Sequence, residues 1–428
     1  VKKFIQNLAN KKNLKLPFVY DVSHSLVTKG ITISVGIAAS IIVTRTLGPE
    51  LKGVYSIVLT WVSILLQLSL FGLYSSNSYF VALNREKLKT LLANSVAFIL
   101  VVGTLIAAFL LASRHIFHIP LGLPEDNLVV IIIIGAFLSM GNIVLQNLSI
   151  AIKKVNINNY VLVTAKVVSF SFLLYFYLND LLIVQNALIV YLIELLIMVG
   201  VLIPFLNSQD GIPWKLDFQQ FKLSFSYGFR VYMATILAFL VIRSDIFLIK
   251  HFLDFKEVGY YSTAVQMTDQ VSVISATIAG ILMPRLTMID NIAEKKYRTK
   301  QVVRGISLML LVVVLPLFIL AEEIIVLLFS EAFLPSVLSL RILLVATAFL
   351  SLQTILVQFL ASEGFPKMIV VFWLVAFVVN IVLNVILIQS HGIEGAAISS
   401  LISYFAVLLM VYFYVKKQYI ELPTVKSE

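Results

Sequence analysis

The chain of 428 residues contains no cysteine and only five histidines. Disulfides, thiolate catalysis and cysteine-based metal centres are thereby excluded, although the absence says nothing of compartment. His24, His115, His118, His251 and His391 are dispersed or near loops, and the i,i+3 pair His115/His118 has no evident third ligand. No phosphate-cradling loop with a following lysine occurs, so ATP is not expected to drive the protein directly. Neither a cofactor, nor a resident metal, nor a catalytic constellation is read from the sequence, and a non-enzymatic role is expected. Charge is scarce too. Asp, Glu, Lys and Arg make up 13% of the residues, where a soluble domain carries about a quarter.

What fills the space is apolar: 60% hydrophobic residues and a mean hydropathy of +1.00. Runs of about 20 apolar residues span a hydrocarbon core of about 30 Å as helices. Segmentation on that length predicts an all-α integral membrane protein of about twelve spans. Their centres fall near residues 36, 66, 101, 139, 168, 194, 240, 272, 310, 349, 377 and 405. The opening V-K-K-F-I-Q-N-L-A-N-K-K-N-L-K has no continuous apolar stretch of the signal-peptide kind, so span 1 is expected to act as its own insertion signal. The domain plan reads as a cytoplasmic basic arm (1–25), a first six-helix lobe (26–206), a cytoplasmic linker (207–228), a second six-helix lobe (229–416) and a cytoplasmic tail (417–428).

The net charge of +10 is distributed unevenly. The N-terminal arm, the even-numbered connections and the tail hold 21 Lys and Arg, whereas the odd-numbered connections and adjacent helix ends hold Arg45, Lys52, Arg114, Lys250, Lys256 and Arg341. This is the positive-inside asymmetry, and it places both termini in the cytoplasm. The cluster K-K-Y-R-T-K (295–300) reads as a topology anchor facing anionic membrane lipids, and no nucleic-acid partner is expected. The short outer connection 321–337 reads as an interfacial helix.

The two halves echo each other. T-R-T-L-G-P-E-L-K-G-V-Y-S (44–56) and K-H-F-L-D-F-K-E-V-G-Y-Y-S (250–262) share Leu47/Leu253, Gly53/Gly259, Tyr55/Tyr261 and Ser56/Ser262 at one shift. Six spans per half give both halves the same topology. Together with R-S-D-I-F-L-I-K on span 7, E-G-F-P-K, N-I-V-L-N-V-I-L-I and G-I-E-G-A-A-I-S-S, these stretches resemble the Wzx-type polysaccharide flippases of the multidrug/oligosaccharidyl-lipid/polysaccharide exporter superfamily. The resemblance implies a V-shaped exporter of two six-helix lobes in a bacterial inner membrane. By alternating access it would flip a polyprenyl-diphosphate-linked oligosaccharide from the cytoplasmic to the outer leaflet, for O-antigen (lipopolysaccharide), capsule or a similar glycan. Coupling to a proton or sodium ion and contact with polysaccharide-assembly proteins are further expectations. Alternatives are a cation-coupled drug or metabolite antiporter of the same superfamily and a membrane polysaccharide polymerase.

Charges within spans carry the site reading, since each costs roughly 2.5 to 3.5 kcal/mol at mid-helix unless compensated. Arg243 lies about eight residues from the outer end of span 7 and Asp269 about ten from that of span 8; at about 1.5 Å per residue they reach similar depth. Arg243 suits a diphosphate, its planar fork matching phosphate oxygens, and Asp269 or Asp245 would hold it when the site is empty. By the resemblance, Lys29 and Arg45 of span 1 and Arg230, Arg243 and Lys250 of span 7 line a cationic central cavity. The rival reading is a structural Arg243–Asp269 pair with the other cations snorkelling from helix ends. Lys166 and Glu194 are expected to pair structurally, and Asn380 and Asn384 to hydrogen-bond across helices. Asp245, Asp269 and Glu194 are the candidate ion-coupling carboxylates.

Overall fold

A computed structural model describes residues 16–115, 122–209, 215–364 and 366–420, except for the side chains of 16–26, 115, 230, 231, 234, 284 and 418–420. Most of the expected basic arm, His118, the middle of the 207–228 linker and the end of the tail lie outside the described residues.

Every long element among the described residues is a helix: α1 (Leu16–Ser69), α2 (Leu73–Leu83), α3 (Leu88–His115), α4 (Asn127–Ala151), α5 (Val155–Leu178), α6 (Val184–Ser208), α7 (Phe218–Phe252), α8 (Phe255–Thr287), α9 (Ile292–Ile319), α10 (Ala321–Phe329), α11 (Ser336–Ser362) and α12 (Met368–Ile420). Nine of the described segments are long and apolar enough to cross a membrane. Two of the nine are double, because α1 breaks at Gly48 (φ 66°) and α12 at Gly392 (φ 59°). Counting those halves singly and adding the 35-residue α7 gives twelve passes, and each expected centre falls inside one.

Local chemistry explains the breaks. A left-handed φ at Gly48 carries no Cβ penalty, and Pro49 then starts the returning helix without a backbone N–H to satisfy. Span 2 differs from its expected form. Phe71 (φ 45°) and Gly72 (φ 74°) interrupt it, and α2 continues the chain beyond the break. Helix starts are capped where the chain turns: the Asp254 carboxylate accepts from Glu257 N–H at 2.9 Å, and Asn291 Oδ1 from Ala293 N–H at 2.8 Å. The segment after α9 forms the short helix α10, with Glu322 and Glu323 in its first turn.

The described chain divides into two compact units, one of Val1–Thr46 and Trp61–Tyr232, the other of Leu47–Thr60 and Met233–Glu428. In the first, α4 packs on α2, α3 and α6, burying Met140, Val144, Leu145 and Leu148 against Leu91, Leu92, Met198 and Leu202. In the second, α11 packs on α8, α9 and α12, with Leu340, Leu344, Ile355 and Phe359 buried. Span 4 and span 10 thus hold the same place in their units. The duplication read from the sequence is a duplication of packing.

Within the second unit the repeat meets itself. A methyl on Gly53 would lie 1.7 Å from the Phe255 carbonyl oxygen, and one on Gly259 would lie 1.8 Å from that of Pro49. The Ser56 hydroxyl donates to that of Ser262 at 2.8 Å. Residues matched by the sequence shift therefore touch each other, backbone against backbone, as small residues allow in membrane helices. Lys52, one turn along, is 3% exposed; its ammonium donates to Gln266 Oε1 at 3.2 Å and lies 5.1 Å from the Tyr55 ring centroid.

Two ion pairs brace the units internally. Lys166 Nζ on α5 meets both carboxylate oxygens of Glu194 on α6, at 3.1 and 2.9 Å, and Ser169 adds a hydroxyl at 3.3 Å. Lys295 pairs with Glu363 at 2.6 Å, tying the start of α9 to the end of α11. One cation of the K-K-Y-R-T-K cluster is therefore spent inside the protein rather than presented to lipid.

Two outcomes follow. Gly53→Val is expected to lower stability by about 3 kcal/mol through overpacking, whereas Gly305→Ala, which meets open space, should change little; thermal unfolding in detergent reads both. Glu194→Gln strands the Lys166 ammonium, at a cost of about 3–5 kcal/mol, and Lys166→Met combined with Glu194→Leu is expected to recover most of it. Equal melting of the single and double variants would show that the pair is solvated instead.

Candidate functional site

The charged segment of α7 sends a base and an acid that sit two residues apart to opposite sides of the helix. Arg243 points to α8, where its guanidinium Nη2 donates to Asp269 Oδ2 at 2.8 Å. The side chains are 26% and 39% exposed, so this pair lies open to its surroundings. Asp245, two residues on, faces the opposite way and is 1% exposed. The alternation is helical geometry: two residues are about 200° around the axis.

Asp245 has no cation within ion-pairing distance among the described residues. It is held by three neutral donors. Tyr261 O–H on α8 donates to Oδ2 at 2.5 Å, Ser400 O–H on α12 to Oδ2 at 2.6 Å, and Asn384 Nδ2 to Oδ1 at 2.9 Å. Asn384 also donates to Asn380 Oδ1 at 3.0 Å, which accepts from Ser244 at 3.3 Å. Two buried amide atoms of this cluster, Asn380 Nδ2 and Asn384 Oδ1, have no hydrogen-bond partner among the described residues. Three helices thus converge on one carboxylate through uncharged groups and leave hydrogen-bonding capacity unused. That is an expensive arrangement in a low-dielectric interior, where an unpaired buried polar group costs about 1–3 kcal/mol.

The other expected residues are placed as follows. Lys250 lies over the Phe255 ring at 4.0 Å, half-buried, in a cation–π contact. Lys29 and Arg45 on α1 are exposed, and Arg230 falls on α7 with its side chain outside the described set. Lys29, Arg45 and Arg230 belong to the first unit, Arg243 and Lys250 to the second. Glu194 is taken up by Lys166. Of the three candidate carboxylates, Glu194 and Asp269 are ion-paired; among the described residues Asp245 has no such pair, and Arg243 acts on it only at longer range.

Lys52 is a residue that sequence reading left in an outer connection. Among the described residues it is buried without a carboxylate within ion-pairing distance. Its neighbour Gly53 was the available signal, because a glycine that forces helices into contact also buries what stands beside it.

The comparisons agree with this architecture. The chain is similar to the lipid II flippase MurJ in an inward closed conformation (TM-score 0.73, 15% identity, 92% of this chain and 87% of that one). It is equally similar to an inward-facing multidrug resistance MATE family transporter of the MOP superfamily (TM-score 0.73, 16% identity, 92% and 96%). These likenesses establish a shared fold. In sequence, 193 residues are 25% identical to the probable low-salt glycan biosynthesis flippase Agl15 of Haloferax volcanii, over 44% of this chain and 41% of that protein, so the match spans less than half of the relative. The family model described as polysaccharide biosynthesis protein matches residues 42–338, from the end of span 1 past the start of α11. By that match, which takes in the Gly53–Gly259 contact and the whole of α7, the chain belongs to the polysaccharide biosynthesis protein family.

Proposed function

We propose that this membrane protein flips a polyprenyl-diphosphate-linked oligosaccharide from the cytoplasmic to the outer leaflet, with Arg243 engaging the diphosphate. The observation that carries the reading is the contrast on α7: an accessible Arg243–Asp269 pair beside a sealed Asp245. An accessible ion pair can exchange its anion. A diphosphate offers the guanidinium more oxygens and more charge than Asp269 does, and the released carboxylate is already partly exposed. Lys250, two turns along the same helix and in the same unit, supplies further positive charge for that headgroup. Membership of a polysaccharide biosynthesis family and the partial likeness to a glycan flippase support the substrate class.

Asp245 is the coupling residue in this reading. A carboxylate held only by neutral donors is a good receiver of a proton or a sodium ion, because neither competes with a resident cation. Loading it would alter the hydrogen bonds that join α7, α8 and α12. The same feature favours a second reading, a cation-coupled drug or metabolite antiporter, in which Asp245 is retained and Arg243 is a brace.

The experiment is reconstitution into liposomes with a short fluorescent polyprenyl-diphosphate oligosaccharide. Arg243→Gln is expected to cut translocation at least about tenfold, the loss of one charge-assisted contact, with melting close to wild type. Equal rates would make Arg243 structural. A wild type inert toward this lipid under proton and sodium gradients alike would move the antiporter reading to the front. In the same vesicles Asp245→Asn is expected to remove the dependence on an imposed ion gradient. A gradient response that survives it would place coupling elsewhere.

A further inference from the structure

The first unit carries an aromatic and polar surface that the diphosphate chemistry does not use. Tyr79, near the end of α2, stacks face to face on Tyr227 of α7, with centroids 4.7 Å apart and planes 9° apart. The rings are 44% and 38% exposed, and neither hydroxyl is hydrogen-bonded among the described residues. Phe80 closes against Tyr227 from the side, at 6.1 Å.

About a quarter-turn around α7 from Tyr227, the helix presents Gln219, Lys222 and Ser226, all exposed, and Arg230 follows at the next turn. Steps of three, four and four residues put these positions on one helix face. Lys222 has no carboxylate partner among the described residues. Exposed tyrosines in membrane proteins usually form an interfacial belt, each ring set between lipid headgroups. A belt does not require two rings stacked on each other, nor a polar stripe three turns long beside them. A stripe of that kind faces water, headgroups or a polar ligand, because hydrocarbon cannot satisfy it.

We propose that Tyr79 and Tyr227, flanked by the Gln219–Lys222–Ser226 stripe, form a docking platform for a sugar ring of the lipid-linked glycan; this rests on the transport reading above. The chemistry matches in its parts. A pyranose has an apolar face of axial C–H groups that packs on an aromatic ring, and a rim of hydroxyls that needs donors and acceptors. Both phenol hydroxyls, Ser226 and Gln219 provide those. Lys222 provides positive charge for the diphosphate that follows the first sugar. The platform lies at the end of α2 and the beginning of α7, next to Arg85 and Lys87. The charge asymmetry assigns that end to the cytoplasm, where the substrate is made. The site would therefore read the glycan on entry, separately from Arg243.

The test is saturation-transfer NMR on the purified full-length chain, with the oligosaccharide that mild acid releases from the lipid-linked pool of the cells that make the protein. Transfer to ring C–H protons is expected with wild type. It should fall about fivefold to tenfold in Tyr79→Leu/Tyr227→Leu, the value of an aromatic stacking contact. Tyr79→Phe/Tyr227→Phe keeps the rings and is expected to retain the transfer while weakening binding about threefold, through loss of the hydroxyl hydrogen bonds. If the leucine variant does not fold, the phenylalanine variant decides: unchanged affinity would overturn the platform. So would no transfer with wild type, or equal transfer to the folded leucine variant, and the tyrosines would then belong to an interfacial belt. The liposome assay of Arg243→Gln is read independently, so failure here leaves the diphosphate reading standing. Failure there with sugar transfer intact would instead separate glycan docking from flipping.

Discussion

A charge in hydrocarbon must be neutralised, hydrated or made useful, and that constraint organises everything polar in this protein. Lys166 and Glu194 take the first route, with two short contacts and a serine hydroxyl completing the carboxylate. Arg243 and Asp269 take the first route while remaining partly exposed. Asp245 does not. Its three neutral donors solvate the carboxylate with fixed dipoles in place of water.

The same constraint accounts for the distribution of small residues. Helices in a bilayer gain little from burying apolar surface against one another, so they associate through close packing and occasional hydrogen bonds. Gly53 and Gly259 bring backbones into contact, and Ser56 and Ser262 add a hydrogen bond beside them. In the second unit the Ser244, Asn380, Asn384 and Ser400 side chains do comparable work across α7 and α12.

Much of this was legible in the sequence, for reasons that differ by residue. The twelve passes follow from run length alone. The Arg243–Asp269 contact follows from counting inward from two helix ends joined by a short turn, since equal depth on adjacent antiparallel helices implies proximity. Lys166 and Glu194 were legible in the same way. The environment of Asp245 was not, because Asn384 and Ser400 lie 139 and 155 residues away and no local pattern announces them. The break in span 2 was hidden too: Phe71 adopts a left-handed conformation that tertiary packing, not propensity, imposes. The stacking of Tyr79 on Tyr227 joins distant spans, and single-sequence periodicity has no view of such pairs.

The contact at Gly53 and Gly259 has one more implication. Because Pro49 meets Gly259 and Phe255 meets Gly53, each partner of one pair is the shifted copy of a partner in the other. This reciprocity is the signature of an isologous interface, the kind two identical chains form about a twofold axis. A residue on such an axis faces its own copy and must tolerate itself at that distance, which glycine and serine do. The stretch thus has the geometry of a twofold contact within a single chain, whose two sides need not stay identical. Tyr55 and Tyr261 display that freedom: one lies beside a lysine, while its twin holds the carboxylate of Asp245.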